Sequence, residues 1–171
     1  SYEQFMLDYC KDISLICEKS ITHIISTRLD NDDAVHENFV ECIQSKFAGQ
    51  SYMAVNFIQV LLSNPSLTNI YIDYQFSNHF ISLIEKFNNI KGCFHKADKH
   101  WNVKGEIMQV DGGPYVFELI HEKNMINNLL GFPSFKKWNL SAFQQGEGQT
   151  RFNLRHLKIW RMSWLKFLKY L

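Results

Sequence analysis

The string Asp111-Gly112-Gly113-Pro114 limits what this chain can fold into more than any other. It lies between two apolar stretches. Glycine accepts positive φ and proline fixes the exit, so the chain is expected to turn here. Before the turn, Trp101 to Val110 reads as extended, although Gly105 weakens it. After it, Tyr115 to Ile120 is aromatic and partly β-branched, and reads as a strand.

Elsewhere the apolar residues are spaced as in helices. Tyr2, Phe5, Met6, Tyr9, Ile13, Ile16, Cys17 and Ile24 recur at three and four residues, which predicts an amphipathic helix. The acidic run Asp30-Asn31-Asp32-Asp33 can cap a second helix carrying Phe39, Val40, Ile43 and Phe47, with Gly49 ending it. Ser51 can cap a third, whose stripe is Val55, Ile58, Leu61 and Leu62, and Ser63-Asn64-Pro65-Ser66 breaks it. Phe76, Phe80, Leu83, Ile84 and Phe87 mark a fourth, running to about Ile90. Glu122 to Leu130 is a short helix with Gly131 as its cap, and Phe135 to Gly148 is mostly loop. Arg151 to Leu171 is a last helix, with Leu157, Trp160, Trp164, Phe167, Leu168 and Leu171 on one side.

The expected fold is therefore mainly α with a small β-sheet. It is one domain over 1–171, with a helical part over about 1–75 and a core over about 76–171. Its 171 residues, 46% of them hydrophobic, suffice for one buried core. The abrupt start at Ser1, inside an expected helix, reads as a domain cut from a longer protein.

Charge and motif content remove several functions. A net charge of +1 gives no electrostatic case for nucleic acid. No apolar run reaches the length of a membrane span. Cys10, Cys17, Cys42 and Cys93 form no CxxC pair, which favours a reduced intracellular protein. Cys93, His95 and His100, beside Asp98, fall short of the four paired ligands of structural zinc, so no metal is expected. The glycine-bearing run Phe143 to Arg151 lacks the lysine of a phosphate loop and follows no strand. Glu37, Glu41 and Glu85 have no evident partner carboxylate, and no catalytic residue or cofactor is expected. The last helix carries Arg151, Arg155, Lys158, Arg161, Lys166 and Lys169, so a membrane-surface or calmodulin-binding module is the alternative function.

Four segments occur in an order that resembles a PUB domain. They are Asn89-Ile90, Lys99-His100-Trp101-Asn102-Val103-Lys104, Tyr115 to Leu119, and Leu130-Gly131-Phe132. Gly113 to Phe117 and Leu154-Arg155-His156-Leu157 are similar to strings of the spermatogenesis-associated protein 2 family, which includes the insect protein tamozhennic. The resemblance implies a PUB-like helical domain with extra N-terminal helices and a C-terminal helix. It implies a non-enzymatic adaptor that docks a CYLD-type deubiquitinase in NF-κB, Toll and cell-death signalling, or that acts with nuclear-transport proteins. Such an adaptor is cytoplasmic and in part nuclear. Groove positions of typical PUB domains carry Lys86, Asn102 and Ile107 here. Partner contact is therefore placed on Trp101, Asn102, Lys104, Asp111, Gly112, Tyr115 and Phe117. Alternate residues of a half-buried strand must also face inward, so Trp101, Tyr115 and Phe117 serve equally as core candidates.

Overall fold

Sheets replace most of the expected helices. The computed structural model describes residues 2–17, 20–93, 107–121, 130–150, 156, 159 and 162–164. Among these, eleven strands form three sheets, of four, five and two strands. Helical structure among the described residues comprises α1 (Tyr2–Ile16), the short α2 (Phe39–Gln44) and residues 156, 159 and 162–164, with 3-10 turns at Phe87–Asn89 and Ser141–Phe143. The mainly α expectation is thus overturned.

The chain divides into two compact units. The first comprises Ser1–Leu29, Glu41–Asn56 and Ser77–Val110. Its sheet has the order β1-β6-β3-β7, built from β1 (His23–Thr27), β3 (Tyr52–Phe57), β6 (Ser82–Lys86) and β7 (Ile107–Val110). β6 pairs antiparallel with β1 through Ile25↔Ile84 and with β3 through Ala54↔Leu83. Ala54, Ile81 and Leu83 form its buried cluster, with Tyr52, Cys93 and Ile107 packed against them.

The second unit comprises Asp30–Val40, Phe57–Phe76 and Asp111–Leu171. Its main sheet runs β2-β8-β4-β5-β9. The strands are β2 (Ala34–Val35), β4 (Gln59–Ser63), β5 (Ile70–Tyr74), β8 (Val116–Leu119) and β9 (Phe132–Pro133). β4 and β8 are parallel, and the other pairs are antiparallel. β10 (Trp138–Asn139) and β11 (Glu147–Gly148) make the two-stranded sheet. Leu61, Ile70, Phe117, Leu140 and Phe143 form the buried core.

That strands β3 and β4 stand where one helix was expected has a physical cause. Strands covered on both faces read as nearly continuous apolar runs, and such a run contains helical spacings by accident. Ala54, Val55 and Phe57 are buried in β3, and Val60, Leu61 and Leu62 in β4. The fourth expected helix fails the same way, because Leu83 and Ile84 lie on opposite faces of β6 and both are buried. Strand β8 and the bend at 112–113 form as expected, with Gly112 at φ +90. Helix α1 forms as far as Ile16, but Ile24 lies in β1. Gly131 caps no described helix end and leads into β9.

Candidate functional site

The structure separates the residues expected to contact a partner. Asp111 and Gly112 are exposed; the Asp111 carboxylate accepts Gln59 Nε2–H at 3.0 Å and the Gly112 N–H at 2.8 Å. Tyr115 is half-buried, with its ring centroid 5.6 Å from His36 and 5.1 Å from Phe57. Phe117 is fully buried, and its ring lies 5.8 Å from that of Phe143. Phe117 is thus core and unavailable to a partner, and Tyr115 is largely held between neighbours. Trp101, Asn102 and Lys104 lie outside the described residues, as do His95, Asp98 and His100. So does most of the basic helix. No helix among the described residues is long and apolar enough to cross a membrane.

A pocket of about 350 Å³ in the second unit is the stronger candidate. Ile72, Tyr74, Phe132, Pro133, Ser134 and Trp164 line it. Its construction begins at the β4–β5 turn. The Asn64 side-chain oxygen accepts the N–H of Thr68 at 3.0 Å and of Asn69 at 2.9 Å, which reverses the chain. Thr150 then pins the start of β5: its hydroxyl accepts Ile70 N–H at 2.6 Å and donates to Ile70 O at 2.9 Å. Side chains two apart on a strand share a face, so Ile72 and Tyr74 emerge on one side. Phe132 of β9 is the Cα partner of Ile72 and adds its ring to that side. Gly131 permits this close pairing: a Cβ there would stand 3.0 Å from both Ile72 O and Tyr71 Cβ.

Trp164 is brought in by its neighbour. The Ser163 hydroxyl donates to Gly131 O at 2.8 Å, which ties the helical residues 162–164 to the chain just before Phe132. The Trp164 ring then meets Phe132 edge-on at 5.5 Å and 83°, and Phe132 meets Tyr74 at 5.9 Å and 68°. Trp164 remains 40% exposed. This corrects the expectation that it belongs to a buried stripe. Among the described residues lining the pocket, none is charged. The Ser134 oxygen accepts Trp138 Nε1–H at 2.9 Å. An apolar volume of this size, with few polar groups, is built for an apolar guest.

Several reactive side chains elsewhere among the described residues are held by structural contacts. Burial pushes the Cys93 thiol above its usual value, against a hydrogen bond from Ser26 that acts the other way, so it is not a ready thiolate. The four cysteines are unpaired. His121 Nε2 lies 2.8 Å from the Asp32 carboxylate, and the Asp33 carboxylate accepts Leu119 N–H at 3.2 Å. Together they fasten the ends of β8 and β2.

No protein-family model, no curated protein and no solved structure matches the chain. Sequence reasoning named Trp164 on a packed face and Phe132 in the Leu130-Gly131-Phe132 string, and passed over the other four lining residues. A signal for β5 was present: Ile70-Tyr71-Ile72-Asp73-Tyr74 is β-branched and aromatic, bounded by Asn69 and Gln75.

Proposed function

We propose that this chain is a binding domain without turnover, and that its second unit holds an apolar group in the pocket between β5, β9 and Trp164. The observation that carries the reading is the pocket itself. Three aromatic rings, an isoleucine, a proline and a serine surround about 350 Å³, and among the described lining residues there is no carboxylate, imidazole, amine or thiol. Such a lining offers burial and shape but no acid, base or nucleophile of ordinary reactivity. Docking of a CYLD-type deubiquitinase was implied by the order of short motifs, and the helical fold implied with it is not the fold found. The role proposed is the coarser one of binding without catalysis.

The test is equilibrium dialysis of the folded chain against naphthalene, an uncharged probe small enough for the pocket. Saturable one-to-one binding is expected, weakened about tenfold in Trp164→Ala, since a lost aromatic wall removes contact area worth on the order of 1–2 kcal/mol. Absence of saturable binding by the folded wild type overturns the reading.

A further inference from the structure

Resting on that reading of the pocket, we infer that its ligand is an uncharged aromatic group of about two fused rings bearing a hydrogen-bond acceptor that meets the Ser134 hydroxyl. Three observations define this class. The first is volume. A cavity of roughly 150 Å³ accommodates a single benzene ring, whereas drug-sized ligands occupy up to about 1,000 Å³. At about 350 Å³ the pocket suits a fused pair of rings.

The second is the wall. Tyr74, Phe132 and Trp164 meet in succession at 68° and 83°. Rings set nearly at right angles present a face beside an edge. A flat ring inserted among them can stack on one wall while its edge meets the next, as aromatic quadrupoles prefer. Trp164, 40% exposed, stands with apolar surface uncovered that such a guest would remove from water. A charged guest would lose its hydration in a lining that supplies no counter-charge among the described residues.

The third is Ser134. One lone pair of its oxygen is taken by Trp138 Nε1–H at 2.9 Å, which fixes where the hydroxyl sits. Among the described residues no acceptor takes the Ser134 hydroxyl proton. The pocket wall thus carries a positioned donor. A ring nitrogen, ether or carbonyl oxygen on the ligand would receive it.

The experiment compares three probes of nearly one shape by equilibrium dialysis at pH 7.5: naphthalene, quinoline and N-methylquinolinium. Quinoline adds a ring-nitrogen acceptor to the naphthalene outline, and N-methylquinolinium converts that nitrogen to a fixed cation. Quinoline is expected to bind tighter than naphthalene by about three- to tenfold, the worth of one net hydrogen bond. Ser134→Ala, with its melting temperature checked, is expected to bring the two to equal affinity. N-methylquinolinium is expected to bind most weakly. Equal binding of naphthalene and quinoline by the wild type overturns the acceptor assignment and leaves the apolar pocket standing. Tightest binding by N-methylquinolinium overturns the neutral class, because the rings then act as a cation cage. Failure of all three removes the pocket reading and this inference with it.

Discussion

The buried polar groups of the first unit and the β5–β9 corner of the second are put to different uses. In the first, Glu85 is buried, and its carboxylate accepts the N–H of Lys91 at 3.0 Å and of Gly92 at 2.8 Å. Asn56 is fully buried; it donates to Gln109 at 2.8 Å and accepts the Asn78 N–H at 3.0 Å, while Asn78 accepts the N–H of Phe80. Ser26 accepts the N–H of Cys93 at 2.9 Å. These side chains do the work of secondary structure where loops enter the core. In the second unit the corner of β5 and β9 is left largely apolar, with Tyr74 and Ser134 bringing the hydroxyls among its described lining residues and a 40%-exposed tryptophan at its side. Polar groups turned inward to the chain specify a fold. Apolar surface left open beside a few donors specifies a guest.

The largest test of this contrast falls on Phe117. It was placed equally at a partner interface and in the core, and it is fully buried in the second unit's core. Phe117→Ala should cost about 3–5 kcal/mol in urea unfolding, the range for truncating a buried aromatic. A loss of binding with an unchanged unfolding midpoint would return Phe117 to a contact role and blur the division between core and pocket.

Glu85→Ala comes next. It strands two backbone N–H groups that now meet a carboxylate, and should cost about 3 kcal/mol, given 1.5–3 for each hydrogen bond to a charged group. Denaturant unfolding measures it. An unchanged midpoint would show that the polar cluster of the first unit is incidental, and the contrast between the units would lose one side.

How much of this was legible in the sequence follows from which interactions are local. The Asp111–Pro114 turn and β8 are set by turn chemistry and β-branched content, and both were readable. Helix α1 has a polar face and an apolar face, so its period is visible. β3, β4 and β6 have no polar face to reveal a period of two, because the sheets are covered on both sides where Ala54, Val55, Leu61, Leu62, Leu83 and Ile84 lie. The pocket was hidden for a different reason. Trp164 reaches Phe132 only because Ser163 bonds to Gly131, a contact between residues far apart in the chain. No local pattern encodes that meeting.

Trp164→Ala sharpens the comparison at smaller amplitude. At 40% exposure the indole should contribute about 1–2 kcal/mol to stability, well under the 3–5 of a fully buried aromatic. A thermal melt lowered by a few degrees, together with markedly weaker naphthalene binding, is the expected pair of results. A melt shift as large as that of Phe117→Ala would place Trp164 in the core and close the pocket.

The smallest expected effect is a pH dependence carried by His156. Its ring is fully buried, edge-on to Tyr71 at 5.8 Å and Phe135 at 5.8 Å, with Nε2 3.4 Å from the Asn69 side-chain oxygen. Burial disfavours the imidazolium and lowers the pKa of His156 below its usual value of 6.5. The sign follows from proton counting. Between the lowered folded value and about 6.5, the unfolded chain binds more protons than the folded one, so stability rises with pH through that window. The contribution is complete above the usual histidine value. It is lost progressively as pH falls through the folded value, below which it changes no further. Other groups titrate in the same range, so the quantity to measure is the difference in unfolding free energy between wild type and His156→Gln from pH 7.5 to 4.5. Wild type should lose stability relative to the variant as the medium acidifies. A difference that stays flat with pH would mean that the ring is solvated when protonated, and that the helical turn beside the pocket is less firmly seated on β5 than the edge-on contact with Tyr71 indicates.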